Sequence, residues 1–138
     1  MNNPAKLYAG LVGATLVVAG LIGFAYSTSF GQPGDVDAVL GILDVNAWHN
    51  LVHIATGALG LAVLGYAARQ YALGLGVVYV AVAIWGFVIG SGESILGIIP
   101  VNTEDNVLHL LLGLTGIAAG LATPVARRPH AQAATAGS

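Results

Sequence analysis

The four basic and six acidic residues of this chain all lie outside four apolar runs, residues 7–27, 50–68, 71–92 and 107–126. A run of about 20 mostly apolar residues is what an α-helix needs to cross the ~30 Å hydrocarbon core of a bilayer. Within that core a helix or a closed barrel is the structure that satisfies its own backbone. Four such runs take up nearly all of the 138 residues, so the sequence predicts an all-α fold: an integral membrane four-helix bundle over residues 1–126. Composition agrees, with 57% hydrophobic and 7% charged residues against about 25% charged in soluble domains. The absence of cysteine excludes disulfides, thiolate nucleophiles and thiolate metal sites. A net charge of −2 provides no electrostatic footprint for nucleic acid.

Lys6 and Ala25-Tyr26-Ser27 invite a signal-peptide reading of the first run, but that run exceeds the usual ~7–15-residue apolar segment. It also has a counterpart further on, so it is expected to be retained. Lys6, Arg69, Arg127 and Arg128 fall at the N-terminus, between runs two and three, and after run four; the acids fall in the other two connections. The positive-inside rule then places both termini in the cytoplasm of a multi-pass protein of the inner (plasma) membrane. Residues 127–138, small and Ala-rich, are expected to form a disordered cytoplasmic tail.

The chain echoes itself. VNAWHNLVHIATGALG at 45–60 returns as VNTEDNVLHLLLGLTG at 101–116, and Leu40-Gly41-Ile42-Leu43 returns as Leu96-Gly97-Ile98-Ile99, all at a spacing of 56. Lys6, Tyr8, Ala9, Gly13 and Gly23-Phe24 match Arg69, Tyr71, Ala72, Gly76 and Gly86-Phe87 at a spacing of 63. The unit is a two-helix hairpin, about 5–68 and then 69–126. Because each copy crosses twice, the two are tandem parallel repeats. The extra seven residues of the first outer connection point to Gly31-Gln32-Pro33-Gly34 as an insertion. The Leu-Gly-Ile segments are too short to span and are expected to be interfacial turns or short helices on the outer side.

Asn46 and Asn102 each precede a helical apolar pattern and are expected N-caps. Asn50, His53, Gly57, Gly60 and, in the second copy, Asn106, His109, Gly113, Gly116 step by 3, 4, 3 along one helix face. Glycines on that face permit close helix packing, so the Asn and His residues should point inward. Tyr8, Trp48 and Tyr71 lie near predicted membrane boundaries and read as interfacial anchors, whereas Tyr79 and Trp85 lie deeper and should pack in or against the bundle.

His49-Asn50-Leu51-Val52-His53 with Gly57, Leu96-Gly97-Ile98-Ile99-Pro100-Val101-Asn102-Thr103, and Asp105-Asn106-Val107-Leu108-His109-Leu110 with Gly113 resemble the small four-span bacterial membrane proteins grouped as domain of unknown function 4383. The resemblance runs from Leu7 to about Leu121. It implies a four-helix membrane domain and no particular activity.

The repeated polar positions admit several readings. Asn50, His53, Asn106 and His109 can be a structural cluster tying the second and fourth helices, since such groups hydrogen-bond between membrane helices at ~0.6 kcal/mol on average. This makes the chain a non-enzymatic accessory or scaffold without a cofactor, and it is the reading the sequence favours. His49, His53, Asp105 and His109 can instead be ligands for a metal such as zinc, with Asp44 as an acceptor behind His49. His53 and His109 can also ligate a b-type haem. A proton or ion path at an outer vestibule is the fourth reading, and with four helices it calls for an oligomer. Expected partners are the bilayer and a second copy or larger membrane complex. No nucleophile triad, phosphate loop or carboxylate pair appears.

Overall fold

A computed structural model of the chain describes residues 3–31 and 36–125; the tail at 127–138 and most of the insertion at 31–34 lie outside them. Asn3 opens the first helix by accepting a hydrogen bond from the Lys6 amide (3.0 Å), and Pro4 occupies the first turn, where its missing N–H costs nothing. Helix α1 (Pro4–Tyr26) leads into a hairpin of β1 (Asp37–Val39) and β2 (Leu43–Val45), then α2 (Ala47–Ala62). Helix α3 (Ala68–Ile89), a hairpin of β3 (Ser94–Ile95) and β4 (Ile99–Pro100), and α4 (Thr103–Ala122) follow in the same order.

The fold is mostly helical, and the Leu-Gly-Ile segments correct the all-α expectation. Each forms the tip of a two-stranded antiparallel hairpin, with Val39 paired to Leu43 and Ile95 to Ile99. Leu40 and Gly41 have φ of 55° and 70°, Leu96 and Gly97 of 55° and 71°. Two successive residues at positive φ reverse the chain as hairpin turns do and cannot continue a helix.

Helices α1, α3 and α4, with 23, 22 and 20 residues, are long and apolar enough to cross a membrane. The second run corrects the sequence reading. Its helix begins at the expected Asn46 cap but stops at Ala62, short of residue 68, after 16 residues, about 24 Å at 1.5 Å per residue. Residues 63–67 then turn the chain into α3, with Gly65 meeting open space there.

Helices α1 and α2 pack antiparallel, as do α3 and α4, and α1 lies along both α3 and α4. The crossings are made by glycine. A β-carbon added to Gly57 would lie 2.5 Å from the Gly13 carbonyl oxygen, and one added to Gly113 would lie 2.8 Å from that of Gly76. Ala5, Ala9 and Ala72, all fully buried, keep the centre equally thin. Large apolar side chains such as Leu11, Leu21, Val77 and Val88 face outward, as lipid-facing residues must.

Gly57→Ala and Gly113→Ala should each destabilise the protein by about 1–3 kcal/mol, the usual cost of overpacking. Gly74→Ala, where the added carbon meets nothing within 4 Å, should be neutral or stabilising by up to about 1 kcal/mol. Thermal unfolding in detergent, followed by circular dichroism, checks the contrast.

Candidate functional site

Asn46 and Asn102 use both ends of their amides. The Asn46 Oδ1 accepts the His49 amide at 2.9 Å and the Asn102 Oδ1 accepts the Asp105 amide at 2.8 Å, so each caps its own helix. The other end crosses over: Asn46 Nδ2 donates to the Ile98 carbonyl (2.6 Å) and Asn102 Nδ2 donates to that of Ile42 (2.8 Å). Each cap therefore holds the hairpin tip that precedes the other.

One turn further in, Asn50 and Asn106 are buried in notches cut by glycine. A β-carbon on Gly23 would collide with the Asn50 amide oxygen, and one on Gly86 with that of Asn106. Asn50 Nδ2 donates to the Ser27 carbonyl at 3.1 Å. The structural cluster expected from Asn50, His53, Asn106 and His109 thus divides. Among the described residues neither amide bonds to an imidazole, because each is turned toward the helix preceding its own.

The imidazoles gather separately. One ligand nitrogen from each of His49, His53 and His109 lies within 4.8 Å of the others. The His49 and His53 Nε2 atoms are 3.1 Å apart, and His49 Nδ1 is 3.0 Å from the Asp44 carbonyl oxygen. A carbonyl only accepts, so Nδ1 carries the His49 proton and its Nε2 is a bare acceptor. Behind His49 it is thus the Asp44 backbone, not its carboxylate, that acts. The buried His109 Nδ1 has no hydrogen-bond partner, a cost of about 1–3 kcal/mol for a group taken out of water.

Asp105, expected among the metal ligands, is absent from this group. It is buried at the place matching His49, with its backbone amide capped by Asn102 and its Oδ2 unpartnered.

The sequence reading missed Tyr79. Its ring is 4.9 Å from that of His109, and its buried hydroxyl lies beside Thr56. Tyr79, Thr56 and the three histidines line a cleft of about 90 Å³ between α2 and α3. That volume holds an ion and a small ligand; pockets for larger molecules run ~300–1,000 Å³. The periodicity that placed Tyr79 inside gave its depth, not its neighbour.

Tyr8 and Tyr71 are a further correction. Both are buried, not interfacial, with 7% and 8% of their surface exposed. Their hydroxyls donate to the Leu112 (2.8 Å) and Thr56 (3.1 Å) carbonyls, and their rings rest on Gly116 and Gly60. Trp48 stacks edge-on against Phe30 at 5.0 Å, while Trp85 faces outward.

A family described as Domain of unknown function (DUF4383) matches residues 6–122. The chain belongs to this family. The match takes in all four helices and both hairpins of the DUF4383 chain. No curated protein and no solved structure matches it.

Asn46→Ala should lower stability by about 1–3 kcal/mol, combining a lost cap with a lost cross-link to a carbonyl. Asn46→Asp keeps the cap but sets a buried carboxylate oxygen against the Ile98 carbonyl, so at neutral pH it should be at least as destabilising as Asn46→Ala. Denaturant titration in detergent orders the three proteins.

Proposed function

We propose that this is a non-enzymatic scaffold or accessory protein of the plasma membrane, built from two tandem copies of a helical hairpin. It crosses four times with both termini cytoplasmic. Helix α2 and the turn at 63–67 together make the second crossing, which the antiparallel packing of α2 on α1 supports. Lys6 and Arg69 at one end, and Asp37, Asp44, Glu93 and Glu104 at the other, support the orientation.

The observation that carries the scaffold reading is reciprocity. The Asn46 and Asn102 amides, and the Tyr8 and Tyr71 hydroxyls, each end on a backbone carbonyl of the other hairpin. Backbone carbonyls offer no chemistry to a substrate. Two hairpins joined in this way at both depths form a stiff body, suited to holding an outer polar site in fixed geometry or to supporting a neighbour in a larger complex. The glycine crossings and alanine core leave little room for a conduction path within one copy, which favours this reading over transport.

The chain's lack of cysteine makes the topology simple to test. In intact cells a membrane-impermeant maleimide should label Glu93→Cys and leave Gln70→Cys unlabelled until the membrane is permeabilised; the opposite pattern overturns the orientation. Proteoliposomes should pass ions and protons no faster than empty vesicles. A flux abolished by the double substitution His53→Ala and His109→Ala would replace the scaffold with a transport component.

A further inference from the structure

The matched positions of the two hairpins keep the same roles almost everywhere: capping asparagines, notched asparagines, crossing glycines and bridging tyrosines all recur in pairs. Three of their differences fall together. His49 stands against Asp105, Thr56 against Leu112 and Tyr79 against Leu16, and His49, Thr56 and Tyr79 all line the cleft between α2 and α3. The packing breaks there too. Helix α4 lies along α1, whereas the matched pair α2 and α3 stands apart around the cleft.

We propose that His49, His53 and His109 bind one divalent transition-metal ion, zinc by the nature of its donors, with a fourth coordination position open to this cleft. Zinc bound by imidazole takes Zn–N bonds of ~2.0–2.1 Å, which sets tetrahedral ligand nitrogens about 3.3 Å apart. The His49 and His53 Nε2 atoms are 3.1 Å apart, and the three-nitrogen group spans no more than 4.8 Å, so modest side-chain rotation closes it on an ion.

The hydrogen bond from His49 Nδ1 to the Asp44 carbonyl is the support that ligating histidines commonly have, fixing the tautomer and aiming the other nitrogen at the metal. The buried His109 Nδ1 has no protein partner, and His109 and Tyr79 line the same small space. An all-nitrogen donor set selects zinc and its neighbours over calcium or magnesium, which require oxygen. Three protein ligands with an open fourth position leave room for water or a small anion beside Thr56 and Tyr79. The inference goes beyond the scaffold reading, and its failure would leave that reading standing.

The test uses the full chain, purified in detergent with a tag free of histidine, stripped with chelator and titrated with Co²⁺ and then Zn²⁺. One Co²⁺ per chain should bind with the intense visible absorption of four-coordinate cobalt, and zinc should displace it. His109→Gln and His53→Gln should weaken binding by more than the roughly 10–100-fold that a supporting hydrogen bond contributes. His130→Ala, which removes the remaining histidine, should bind as wild type. Circular dichroism verifies that the Gln variants are folded; if one is not, His49→Gln takes its place. Zinc should raise the Tm of wild type and of His130→Ala but not of the Gln variants. Absence of stoichiometric binding, octahedral cobalt spectra, or binding lost with His130 and kept without His109 would each overturn the site.

Discussion

A carboxamide has one accepting and one donating end, and the interlock of this protein depends on using the two ends on different parts of the chain. Asn46 and Asn102 each close the start of one helix with the oxygen and seize the opposite hairpin tip with the nitrogen. Both side chains are buried, so a lost partner is not replaced by water and the bond is enforced by the cost of leaving it unmade. The positions of α2, α4 and both hairpin tips are thereby fixed together, and with them the imidazoles one and two turns below the caps.

Glycine supplies the second condition. Apolar side chains gain nothing by leaving lipid for one another, so membrane helices associate through close packing and interhelical polar contacts. Gly13 with Gly57 and Gly76 with Gly113 bring backbones to contact distance, while Gly23 and Gly86 open the notches in which Asn50 and Asn106 are held. The same small residues that permit packing also confine the polar groups, which is why the amides turn away from the imidazoles.

Much of this was legible in the sequence because periodicity records which face is buried. Charge-free runs gave the helices, the 3, 4, 3 stepping gave the inward face, and the Asn46 and Asn102 positions gave the helix starts. The hairpins were hidden because Leu40 and Leu96 adopt positive φ, a conformation that leucine does not advertise; Leu-Gly-Ile reads as an apolar turn of any kind. Proximity to a helix end suggests an anchor for Tyr8 and Tyr71, while their burial depends on glycines of a different helix, Gly116 for Tyr8 and Gly60 for Tyr71. The convergence of His49 with His53 and His109, without Asp105, depends on how the helices pack, which spacing along one helix does not encode.

The crossed asparagine bonds also impose an order of assembly. Helices α1 and α2 leave the synthesis machinery before α3 and α4, and the glycine contacts between them are complete within that first hairpin. The acceptor for Asn46 is not, because Ile98 lies 52 residues further along the chain. Tyr8 likewise awaits Leu112, 104 residues away. A nascent first hairpin is therefore packed but polar-deficient, and arrival of the second satisfies both deficits together. That makes the joining of the hairpins a late, cooperative event, and an arrested half-chain a natural target for membrane quality control.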